Sequence, residues 1–67
     1  MAKYYLVCAV TTKDGHNQTR DGIIDAHLSD NEDFTVEDIN ILKTEFSKQI
    51  LNGKGSIRGI INFLNIV

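Results

Sequence analysis

The run Lys3-Tyr4-Tyr5-Leu6-Val7-Cys8-Ala9-Val10-Thr11-Thr12 sets the architecture of this chain. Tyrosine, valine and threonine suit a pleated surface, so residues 3–12 read as a strand. Tyr4, Leu6, Cys8 and Val10 share one face, while Tyr5, Val7 and Ala9 share the other. Apolar residues on both faces mark a strand that sits centrally and is covered on both sides. Lys13-Asp14-Gly15-His16-Asn17-Gln18 then gathers turn formers, with Asp-Gly the strongest local signal. Residues 20–29 alternate, with Ile24, Ala26 and Leu28 opposed to Asp25, His27 and Ser29, as in a half-exposed strand. The two strands form a hairpin.

The best-defined boundary is the start of a helix. Thr35 can accept an amide hydrogen of the first turn, and Asp38 can return the bond, as in a capping box. Phe34 and Ile39 are spaced for a hydrophobic staple, and Glu37 and Asp38 suit the positive end of the helix dipole. Ile39, Leu42, Phe46 and Ile50 recur at helical spacing, and Asn52-Gly53 supplies a left-handed stop. A helix is therefore expected over 36–51. Residues 57–66 are β-branched, interrupted by Gly59, and read as a third strand. Its alternation puts Ile57, Ile61 and Phe63 on one face, and Ile60, Leu64 and Ile66 on the other.

The expected fold is α+β: one ββαβ domain over 1–67, with a three-stranded, mainly antiparallel sheet and one helix on one face. Strand order 2-1-3 follows if the helix returns the chain beside the first strand. Order 1-2-3, with a parallel last pair and a right-handed crossover, is the alternative. Either way one helix covers one face. If it covers Leu6, Cys8, Ile61 and Phe63, the uncovered set includes Tyr5, Val7, Ile60, Leu64 and Ile66. A contiguous apolar patch on a small protein is a contact surface, for a homodimer or another protein. The competing reading folds the C-terminal segment into the single core.

Size and composition bound the rest. The 67 residues are 42% hydrophobic and 24% charged, with formal net charge -2 and no proline, which excludes disordered and low-complexity classes. A chain this short buries only about 60% of its unfolded surface, and its one cysteine cannot form an internal disulfide. Oligomerisation is then a common support. The longest apolar run, Tyr4 to Val10, falls far below the ~20 residues of a spanning helix. Removing Tyr4 to Ala9 as a leader would discard the best strand, so a cytoplasmic protein is expected.

Charge is unevenly placed. Asp25, Asp30, Glu32, Asp33, Glu37 and Asp38 follow one another with no lysine or arginine between them. Such runs are ordinarily solvated. Their functional reading is an acidic rim at Asp30, Glu32 and Asp33 that meets a basic protein partner. The alternative partner is nucleic acid, met by Lys3, Tyr4, Tyr5, Lys54 and Arg58 if the first and third strands pair.

Candidate chemistry is sparse. Asp25 and His27 share a strand face without a nucleophile that converges on them. Cys8 alternates with Leu6 and Val10, as a small buried hydrophobe does. One cysteine and two distant histidines give no zinc spacing, and Asp30-Asn31-Glu32-Asp33 lacks the glycine and glutamate of a calcium loop. Gly53-Lys54-Gly55-Ser56 lacks the spacing of a phosphate loop and precedes a strand. No catalytic residue, metal ligand or cofactor site is expected, and the chain reads as a binding protein rather than an enzyme.

Taken together, Lys3-Tyr4-Tyr5-Leu6-Val7, Lys13-Asp14-Gly15, Phe34-Thr35-Val36-Glu37-Asp38 and Asn62-Phe63-Leu64-Asn65-Ile66 resemble small accessory proteins of bacteriophages and prophages. The resemblance implies a regulator or inhibitor that acts on a host protein through contacts. It carries over no functional residue.

Overall fold

The structure is a computed structural model that describes residues 2–28 and 35–66. Strand β1 (Ala2–Thr12) turns into β2 (Asn17–Ala26), followed by helix α1 (Val36–Phe46), a π-helical turn (Ser47–Leu51) and strand β3 (Gly55–Asn65). The sheet has order β2-β1-β3, and β1 pairs antiparallel with both neighbours. The fold is α+β with a ββαβ layout, and the parallel alternative is excluded.

Local chemistry explains the connections. Gly15 N–H donates to Thr12 O at 2.9 Å and Thr12 N–H donates to His16 O at 2.8 Å. Lys13, Asp14 and Gly15 therefore form a three-residue hairpin loop, with Gly15 at φ +87° where a side chain would be strained. This loop is shorter than the sequence suggests. It brings Asn17 straight opposite Thr11, so β2 starts three residues before the expected Arg20. The strand ends at Ala26, where its pairing with the start of β1 at Ala2 runs out, so His27 and Leu28 are not strand, contrary to expectation. The expected end of that strand at Ser29 lies outside the described residues. Thr35 Oγ1 accepts from Asp38 N–H at 3.3 Å, and Thr35 N–H donates to Asp38 Oδ2 at 3.0 Å, completing the capping box. Phe34, the other half of the expected staple, lies outside the described residues. Asn52 and Gly53 stop the helical segment at φ 49° and 81°.

The expected continuous helix over 36–51 changes character after Phe46. Asn52 N–H bonds Ser47 O at 2.8 Å, an i→i+5 link. The extra residue moves the buried stripe from Phe46 to Leu51, leaving Ile50 only half-buried. Ile50 then packs onto Gly22 of β2, where an added Cβ would lie 2.6 Å from Ile50 Cδ1. The core joins Tyr4, Leu6, Cys8 and Val10 of β1 to Ile24 and Ala26, and to Leu42, Phe46 and Leu51. Ile57 and Ile60 of β3 pack against it.

Gln49, carried by the π turn, closes one sheet edge. Its Nε2 donates to Asp25 O at 2.8 Å and its Oε1 accepts from Asp25 N–H at 3.0 Å. The side-chain amide thus pairs with β2 as a neighbouring strand would. Glu45 Oε1 accepts from the same Nε2 at 3.0 Å and orients it. Replacing Gln49 with alanine removes both edge bonds, at ~1 kcal/mol each. Urea unfolding of Gln49→Ala should show a loss of about 1–2 kcal/mol. Gln49→Glu, which cannot donate to Asp25 O and meets Glu45, should lose at least as much.

Candidate functional site

The face of the sheet opposite α1 is the site that the fold builds. Buried Tyr4, Leu6, Cys8 and Val10 point to the helix, so Lys3, Tyr5, Val7 and Ala9 point away from it. Among the described residues no helix or strand packs on that second face. Its middle is a row across all three strands: Ile23 on β2, Tyr5 on β1 and Leu64 on β3. Ile66, whose N–H donates to Lys3 O at 3.0 Å, extends the apolar surface on one side of the row, and Val7 on the other. Ile23 is 54% exposed, Leu64 60% and Ile66 42%. For a described surface of this size, that is a concentrated apolar patch.

Polar groups frame the patch. Lys3 Nζ and Asp25 Oδ1 lie 3.2 Å apart at one end, both side chains about half exposed. Such a pair is worth at most about 1 kcal/mol and mainly fixes geometry. Tyr5 Oη donates to Asp21 Oδ2 at 2.6 Å, which ties the side chain to β2. That hydrogen bond, then desolvation, then the Asp21 charge, raises the Tyr5 phenol above its ordinary value. The two acids of the frame, Asp21 and Asp25, both stand on β2. The β3 side carries Asn62, Leu64 and Ile66, and the chain has no charged residue from Gly59 to Ile66.

Four of the five expected contact residues, Tyr5, Val7, Leu64 and Ile66, meet on this face. Ile60 does not. The β1–β3 register shifts between Val7 and Cys8 and again between Ala9 and Val10. Each β-bulge inserts one residue and reverses the alternation. Ile57 pairs with Val10, Ile60 with Cys8 and Phe63 with Leu6, all on the helix side. Ile61, expected under the helix, is instead the extra residue of one bulge and is exposed. Ile23 was missed, although adjacent Ile23 and Ile24 signal that β2 offers an apolar residue to each face. The expected acidic rim at Asp30, Glu32 and Asp33 lies outside the described residues.

A shallow second feature runs between α1 and the outer side of β3. Ile39, Lys43, Ile60, Ile61 and Phe63 line an open groove of about 390 Å³.

Other candidate groups disperse. Tyr4 is buried in the core and unavailable for base stacking. Lys3 lies at the end of β1 that meets Asn65 and Ile66, whereas Lys54 and Arg58 lie toward the end that meets Gly55 and Ser56. The basic constellation is not brought together. Asp25 engages Lys3 while His27 is exposed beyond the end of β2. His16 Nδ1 lies 3.5 Å from Asp14 Oδ2 in the exposed hairpin loop. Gly53-Lys54-Gly55 forms the turn into β3, with no helix behind it. Among the described residues no three His, Cys, Asp or Glu side chains cluster as a metal site would, and no helix is long and apolar enough to cross a membrane. No protein-family model matches the chain, and no curated protein or solved structure is significantly similar to it.

Cys8 is fully buried, and burial pushes its thiol up to about 11 against a smaller opposing pull from Lys43. Thiolate is therefore scarce in the folded protein, and the sulfur is shielded as well. Reaction with a soluble disulfide reagent at pH 8 should be at least ~100-fold slower in the folded than in the urea-unfolded chain. The folded thiol holds its proton above its ordinary value of 9.0. Stability contributed by this group is thus present below about pH 9 and is lost as pH rises toward 11. Tyr5, also raised, loses its Asp21 bond on ionising, so thermal midpoints should fall on that alkaline side. A Cys8→Ala, Tyr5→Phe double variant should have a flatter profile there.

Proposed function

We propose that this chain is a non-enzymatic protein-binding module whose working surface is the open face of its sheet. The observation that carries the reading is the row Ile23–Tyr5–Leu64, with Val7 and Ile66 beside it. Full burial of a large apolar side chain supplies roughly 1.5–3 kcal/mol, and Ile23, Leu64 and Ile66, about half exposed, forgo about half of that. A surface of this kind is apolar at its centre and polar at its margins, as binding faces are. The margin acids Asp21 and Asp25 would admit basic side chains at the rim of a partner, setting orientation more than affinity. Soluble action in the cytoplasm, and a regulatory role of the kind that small bacteriophage and prophage proteins play, are parts of the same proposal. Nucleic acid is the weaker reading, because Tyr4 is buried and Lys3 lies far from Arg58.

The test replaces the centre of the patch without touching the core. Ile23→Thr with Leu64→Thr keeps β-branched or strand-compatible residues at exposed positions, so unfolding should change by under about 1 kcal/mol. The wild-type protein should bind a hydrophobic reporter dye and retain specific proteins from a bacterial extract, and the double variant should lose both. A double variant that binds dye and retains the same proteins as wild type would refute the open face as the working surface.

A further inference from the structure

We infer that the occupant of the open face is a second copy of this chain, stacked sheet on sheet about a twofold axis parallel to the strands. This rests on the binding role proposed above and names its partner. Three strands at ~4.8 Å spacing, about eleven residues long at ~3.3 Å each, offer a flat face of roughly 500 Å². Two such faces bury about 1,000 Å² together, the lower bound for a specific interface. A face this narrow is covered over most of its area by one of its own outline. The distribution of charge then selects the axis. With the axis across the strands, β2 lies over β2 and brings Asp21 and Asp25 of one protomer onto those of its partner. With the axis along the strands, β2 lies over β3. Ile23 then faces Leu64, Tyr5 faces Tyr5, and the acids of β2 face the uncharged margin at Asn62 and Ile66. Each Lys3 is drawn toward its own Asp25, at 3.2 Å, and therefore toward opposite sides of the stack. The bulk of the two sheets meets at ~10 Å separation with an angle near 30°.

An interface at this low end of the size range belongs with weak, reversible contacts, with a dissociation constant on the order of 10 μM. Sedimentation across that range should show a monomer–dimer equilibrium for wild type. Leu64→Lys should be monomeric at every concentration, with its circular dichroism unchanged and its thermal midpoint equal to that of wild type when both are measured well below the wild-type dissociation constant. Ile23→Cys mixed with Leu64→Cys should give a heterodimer disulfide on oxidation in preference to either self-linked product, since the native Cys8 is sealed in the core. A wild-type chain that stays monomeric at 1 mM (about a hundred times the expected constant) overturns the inference, as does Ile23→Cys linking chiefly to itself. If the chain is monomeric yet Ile23→Thr with Leu64→Thr still abolishes capture, the binding role survives with another protein as occupant. If that variant also changes nothing, both readings fall.

Discussion

A strand with neighbours on both sides and apolar side chains on both faces asks for two covers, and β1 is such a strand. Leu6, Cys8 and Val10 are sealed beneath α1 and the π turn, while Tyr5, Val7 and Ala9 point the other way. A helical segment of 16 residues is ~24 Å long, against ~36 Å for an eleven-residue strand, so it roofs one side and only part of its length. The described residues supply no second layer. Tyr5 and Val7 recover part of their burial from neighbouring strands, but Ile23 and Leu64 project beyond them. The open face is thus a consequence of chain economy: among the described residues a single helical segment roofs only one side of a sheet that is apolar on both.

Two irregularities make the covered side work. The i→i+5 link at Ser47 lets Leu51, rather than Ile50, follow Phe46 into the core. Ile50 is freed to fill the space left by Gly22, and Gln49 is turned onto the β2 edge. In β3, the bulges bring Ile57, Ile60 and Phe63 successively to the helix side although their spacing is three residues, not two. An uninterrupted strand would have placed Ile60 with Leu64 and Ile66 on the open face, Ile61 opposite Cys8 and only Gly59 opposite Val10. The bulges therefore exchange Ile61 for Ile60 beneath the helix and bring Ile57 opposite Val10.

Features governed by near neighbours were legible in the sequence. Asp14-Gly15 marked the hairpin, Thr35 with Asp38 the helix start, and Asn52-Gly53 its stop, because each depends on backbone geometry within a few residues. The two-sided pattern of residues 3–12 marks a central strand, and the return of the helix beside it favours the observed order over the alternative 1-2-3. The phase of β3 was not legible. Gly59 hints at one bulge, but the second falls at Ile61-Asn62, where no residue demands it and the register against β1 decides. The π turn is hidden for the same reason: Ile50 and Leu51 are equally apolar, and Gly22, remote in sequence, determines which one faces the core. Strict alternation therefore sends Ile60 to the open face, which it does not reach, whereas Tyr5, Val7, Leu64 and Ile66 lie there together with Ile23.

The two edges of the sheet also bear on how its open face can be used. An uncovered strand edge invites another strand, and pairing of that kind can repeat without limit. On β2 the Gln49 amide occupies both backbone groups of Asp25, and Arg20, Asp21 and Asp25 place charge along the same strand. Growth along that side is opposed at the position nearest the apolar row. Stacking through the face has the opposite character, because one partner covers it and leaves no equivalent surface for a third. The stacked contact proposed above is therefore closed and finite, whereas pairing along the β2 edge is opposed by Gln49.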